Sequence, residues 1–118
     1  MMKMNHAPLR QLSGYIASAL IEAESGLVLS KDEGLPFNIE LASALNAEVL
    51  KSKRAAVDAL QLDDHVEDIL ITLGKQYHLL RPVESNSQLF IYLNIDRKRG
   101  SLAMARIALK EVEQSITS

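Results

Sequence analysis

"NIELASALNAEVLKSKRAAVDALQ", residues 38–61, sits inside the longest run of this chain that is free of glycine and proline. Its composition and spacing predict a long helix. Asn38 is a natural N-cap, and Glu40 in the first turn suits the positive end of the helix dipole. Placed on a helix at about 100° per residue, its apolar side chains fall into two groups. Leu41, Leu45, Val49, Ala56, Ala59 and Leu60 make a broad face, whereas Ile39, Leu50 and Val57 define a second stripe completed by Ser43, Asn46 and Lys53. One sheet covers one face of a helix, so two faces call for two partners. The expectation is that the broad face packs on the chain's own sheet and the second stripe meets a second copy, in the stepped spacing of a helix-helix seam. Burying Ile39, Leu50 and Val57 would contribute about 1.5–3 kcal/mol each before the costs of association. An antiparallel crossing about a two-fold near Leu50 brings Asn46 of one protomer near the partner's Lys53. The alternative is a monomer with a partly exposed apolar stripe.

Outward from this helix the chain is clearly punctuated. Gly14 closes a short helix begun near Pro8, with Leu9 and Leu12 on its inner side. The pattern then turns to β: "YIASALIEA", a turn at Glu24-Ser25-Gly26, "LVLS", and a turn at Asp32-Glu33-Gly34. After the long helix and the acidic link Asp63-Asp64-His65 come "EDILITL", the turn Gly74-Lys75, "QYHLLRPV", a loop over residues 84–87 and "LFIYLNI". Glycine at the first turn position fits a type II′ hairpin. Asp96 is placed as the cap of a last helix, "RKRGSLAMARIALKEVEQSI", which gathers Leu102, Ala105, Leu109, Val112 and Ile116 within about 80°. The element order is α-β-β-α-β-β-β-α in one domain spanning residues 1–118. Short turns make the sheet antiparallel. Strands such as "ILITL" and "LFIYL" alternate weakly, so helices are expected on both faces.

The bulk composition excludes several classes. The 118 residues are 47% hydrophobic and 24% charged, enough for one buried core. A net charge of −2 and a pI near 5.9 offer no footprint for nucleic acid. With no cysteine, disulfides and thiolate chemistry are absent. The opening "MMKMNHAPLR" lacks the apolar core of a signal peptide, and no run reaches the roughly 18 residues of a membrane span, so a cytoplasmic protein without membrane insertion is expected.

No catalytic pattern emerges. Neither a phosphate-loop nor a dinucleotide-binding glycine motif occurs. His6, His65 and His78 are widely separated, and His78 reads as a structural strand residue. "DDHVED", residues 63–68, lacks the glycine-bearing loop of a calcium site and reads as a solvated acidic loop. No catalytic, cofactor or metal residue is assigned, and no cofactor is expected. Lys51 and Arg54 on the long helix and Arg97, Lys98 and Arg99 at the start of the last one are candidate contacts for an acidic partner. Arginine there could serve as a finger in trans, but a solvated helix start accounts for it as well.

Taken together, "LSGYIASALIEAESGLVLS", the Gly34-Leu35-Pro36 turn, the alanine-rich central helix, "YHLLRPV" and "NIDRKRGSLAMARIALKEV" resemble the Roadblock/dynein light chain family, as a bacterial stand-alone member. That resemblance implies an α+β fold with a five-stranded antiparallel sheet of order 2-1-5-4-3, the long helix on one face and the two terminal helices on the other. It also implies pairing of two subunits through the long helix and the third strand, which carries Ile69 and Ile71. Members of this family commonly bind Ras-like small GTPases as regulators or scaffolds, and some activate GTP hydrolysis. The function expected is therefore a non-enzymatic, homodimeric GTPase regulator. The alternative is a ligand-sensing or minor catalytic α/β domain, which needs a pocket with convergent polar groups.

Overall fold

The computed structural model describes residues 3–116. Helix α1 (Ala7–Arg10) precedes the hairpin β1 (Tyr15–Glu22) and β2 (Val28–Glu33). Helix α2 (Ile39–Ala59) then leads to β3 (Ile69–Thr72), β4 (Gln76–Val83), β5 (Asn86–Asp96) and helix α3 (Leu102–Gln114). The strands form one antiparallel sheet in the order β2-β1-β5-β4-β3, as expected. Both faces are covered. Leu20, Leu79, Ile91, Leu93 and Ile95 pack with Leu9 of α1 and Ala105, Leu109 and Val112 of α3. On the other face Ala17, Ala19, Ile21, Leu80, Phe90 and Tyr92 pack with Ile39, Ala47 and Leu50 of α2. That two-sided covering explains why β1 and β5 read as nearly continuous apolar runs.

Helix α2 is rotated relative to the sequence expectation. Ile39, Ser43, Ala47 and Leu50 face the sheet with 0–1% of their surface exposed, while Leu41, Leu45 and Leu60 are 55%, 59% and 66% exposed. Ile39, Ser43 and Leu50 of the stripe assigned to a second subunit are thus core, whereas its Asn46, Lys53 and Val57 are not fully buried, and the broad leucine face points outward. The reason is room rather than hydrophobicity. Helix α2 approaches β1 where the strand presents the small side chains of Ala17 and Ala19, and a Cβ on Gly26 would lie 2.9 Å from the Ala44 Cα. Gly26 also has φ +76°, so the turn needs glycine on both counts. Such close approach admits Ser43 and Ala47 between Ile39 and Leu50, but not a row of leucines. Leu50 is wholly inside its own subunit, so its side chain is core and not part of a seam between two copies. Asn46 turns its amide to the Ala42 carbonyl at 2.8 Å.

Local boundaries also shift. Asn38 caps α2 as expected, accepting from the Leu41 amide at 3.1 Å. Asp96, by contrast, ends β5 and accepts from the Arg99 amide at 2.9 Å, closing a turn. Ser101 is the real cap of α3, accepting from the Met104 amide at 3.3 Å, so Arg97, Lys98 and Arg99 lie in that turn and not in the helix. Strand β2 runs through Asp32 and Glu33, where a turn was expected, because Asp32 is held from the inside by Tyr15 at 2.8 Å and Arg10 at 3.2 Å. Strand β5 begins at Asn86, inside the expected loop. Gly74 does not take a positive φ, so the β3–β4 turn is not type II′.

Candidate functional site

The outer face of α2 leaves a row of large apolar side chains uncovered. Leu41, Leu45, Val49 and Leu60 stand out from the helix, with Ala56 between them. Because α2 makes its main contacts with β1 and β2, the β3 edge of the same sheet face is less covered, with Ile69 and Ile71 only half-buried. An open groove of about 800 Å³ follows, lined by Val49, Lys53, Ala56 and Val57 of α2 and by Val66 and Ile69. Strand β3 is the edge of the sheet, bonded only to β4, so its outer row of backbone donors and acceptors is unpaired within the subunit. Ile69 and Ile71 lie half-buried on it. Helix face, groove and strand edge form one continuous surface.

Of the interface residues expected from sequence, Ile69, Ile71, Val57 and Lys53 border this surface, whereas Ile39, Ser43 and Leu50 are interior. Leu41, Leu45 and Val49 were the residues missed as surface. A signal existed in the alternating Ala17 and Ala19 of β1, which mark a narrow helix-sheet gap.

The polar groups of the interior are structural. His6 places Nδ1 2.7 Å from the Ser18 hydroxyl and Nε2 2.7 Å from the Ser30 hydroxyl. Ser18 continues to the Tyr15 hydroxyl at 2.7 Å, and Tyr15 donates to Asp32. This chain ties the segment before α1 to β1 and β2, and Ser18 is fully buried, so its hydroxyl cannot meet a substrate. Burial lowers the His6 pKa below its ordinary value, with nearby Asp32 opposing and Arg10 adding to the shift. His78 stands edge-on to Tyr92 and Phe37, its Nδ1 3.3 Å from the Tyr92 hydroxyl, and burial lowers its pKa too. Burial pushes the Tyr92 phenol well above its usual range. Asn94, on the same face, is fully buried with neither amide atom in hydrogen-bond geometry. Among the described residues no three acidic or histidine side chains gather around a metal-sized space. Asp68, expected in a solvated loop, instead receives Arg106 at 2.9 and 3.3 Å.

The candidate basic contacts divide. Lys51 lies 3.6 Å from both Glu24 and Glu48, and Arg54 donates to the Ser87 carbonyl at 2.9 Å. Arg97 donates to the Leu73 carbonyl at 3.1 Å and lies over the Tyr77 ring. Lys98 and Arg99 are exposed.

No family model and no curated protein sequence matches the chain. Solved structures do. A Roadblock/LC7 domain from Streptomyces avermitilis superimposes with a TM-score of 0.78 at 14% identity, covering 92% of this chain and 88% of that one. The gliding protein MglB from Thermus thermophilus gives a TM-score of 0.78 at 17% identity, with 93% and 80% covered. A structure described as MglB with a tetrameric arrangement gives a TM-score of 0.78 at 18% identity, with 93% and 79% covered. The fold of this chain is the Roadblock fold.

Proposed function

We propose that this protein is a homodimeric regulator or scaffold of a Ras-like small GTPase, built by joining two copies through the outer face of α2 and the β3 edge. The observation that carries the dimer is the uncovered row Leu41, Leu45 and Val49, continuous with the groove and the unpaired strand. Two copies related by a two-fold would satisfy all three needs at once: leucines against leucines, a helix beside each groove, and β3 against β3. The GTPase partner rests on the Roadblock fold and on the family resemblance in the sequence, whose members commonly bind such proteins. Regulation then works by surface contact that orders the GTPase's own loops or tethers it. Lys51 and Arg54 of α2 are the candidate contacts on this helix for an acidic partner surface.

The ligand-sensing alternative would use the cleft of about 750 Å³ between the end of α2, residues 64–67 and the β4–β5 hairpin. Its charges are mixed, and Arg81, which borders it, is already committed to Glu113 at 2.6 Å. Light scattering, followed by GTP turnover of a co-encoded small GTPase with and without this chain, tests the regulator reading. A dimer mass with bound GTPase or altered turnover supports it. A monomer mass together with no binding and no change in turnover overturns it.

A further inference from the structure

The β3–β4 turn and the β5–α3 turn meet at one end of the molecule. The Arg97 amide donates to the Lys75 carbonyl at 2.9 Å, and the Arg97 guanidinium holds the Leu73 carbonyl, so the two turns move as one unit. This tip gathers Lys75, Arg97, Lys98 and Arg99, four of the thirteen cations of a chain whose net charge is −2. None of the four takes part in an ion pair among the described residues, in contrast to Arg10, Lys31, Lys51, Arg81 and Arg106. The nearest carboxylate on the same turn, Asp96, is half-buried and occupied with the Arg99 amide. Leu73, whose carbonyl Arg97 holds, is 42% exposed, and Met104 in the first turn of α3 is 55% exposed.

We propose that this tip is a peripheral docking surface for an anionic lipid bilayer. The observations favour lipid over an acidic protein for three reasons. The tip is made of two tight turns, and neither of the two clefts described above is lined by any of its residues. Lys75, Lys98 and Arg99 are not fixed in a geometry that would select one partner's carboxylates, which suits a diffuse charge. An exposed leucine beside a long basic side chain sets an apolar group at headgroup depth while the charges stay wet. Since the described residues contain no helix able to cross a membrane, attachment is to the surface.

The test needs no GTPase, so it succeeds or fails separately from the regulator reading. The intact protein is sedimented with vesicles of phosphatidylcholine alone or mixed with phosphatidylserine, at low and high salt. Binding is expected only to the mixed vesicles, and is expected to fade as the screening length drops from about 10 Å at 0.1 M to about 3 Å at 1 M salt. The variant Lys75→Gln, Lys98→Gln, Arg99→Gln should bind at least about tenfold more weakly, and Leu73→Ser should weaken binding less. Unchanged melting of both variants excludes a folding defect. Equal retention on neutral vesicles, undiminished binding by the triple variant, or binding to polyglutamate without binding to vesicles would each overturn the proposal.

Discussion

The two faces of the sheet are finished in opposite ways. The face under α1 and α3 is locked at its rim by polar clamps: Arg81 bonds Glu113 with both side chains about nine-tenths buried, Glu113 also accepts the Glu84 amide at 2.8 Å, and Arg106 grips Asp68. The face under α2 is tied at its edge by more exposed contacts, Lys31 to Glu40 at 3.0 Å, Lys51 to Glu24 at 3.6 Å and Arg54 to the Ser87 carbonyl at 2.9 Å. One helix covers part of it, and that helix carries a second row of leucines directed away from the sheet. A face closed by charged clamps is complete within one subunit, because each clamp has its partner there. A cover that is itself apolar on the outside is the surface that the proposed pairing of two copies would bury.

The sharpest way to break this comparison is to put the same charge on either side of α2. Leu50→Asp buries an unpaired carboxylate in the sheet-facing core, and we expect no folded protein at all by circular dichroism. On the clamped face, Arg81→Ala leaves Glu113 buried without its partner and should cost about 3–5 kcal/mol in urea unfolding. Leu45→Asp, on the outside of the same helix, should leave the subunit folded while removing about 1.5–3 kcal/mol of association per copy, read as a loss of dimer mass in light scattering. If Leu45→Asp unfolds the chain, or Leu50→Asp merely changes its mass, the orientation of α2 is wrong.

The smallest effect sharpens the contrast by pH. His6 and His78 both have folded-state pKa values lowered from 6.5 by burial. The unfolded chain therefore takes up protons first as pH falls, and stability, fully present above about 6.5, declines below it. Melting temperature should drop between neutral and mildly acidic pH, and His78→Phe should reduce that slope. A flat profile would show that neither ring is as buried as the structure places it.

Much of the fold was legible because its cues are local. Glycine and proline bounded the strands, Asn38 carried its cap, and apolar runs in β1 and β5 announced covering on both sides. Helix α3 put its predicted row inward, with Ala105, Leu109 and Val112 all buried, because its other large apolar side chains, Met104 and Ile107, span only a single turn. Helix α2 offers two full rows. Sequence periodicity established that both exist and that one of them lacks a place on the sheet, yet spacing is symmetric under rotation of the helix about its axis. What chose between them was the gap above Ala17 and Ala19 and the contact of Gly26 with Ala44, distances between residues far apart in the chain. The same holds for the basic tip: sequence shows Arg97, Lys98 and Arg99 adjacent, but Lys75 and Leu73 join them only when β4 and β5 pair. The amino-acid sequence fixed how much apolar surface must be hidden, since that depends on composition and period. The tertiary structure decided which side hides it, since that depends on the room left when helix and strand meet.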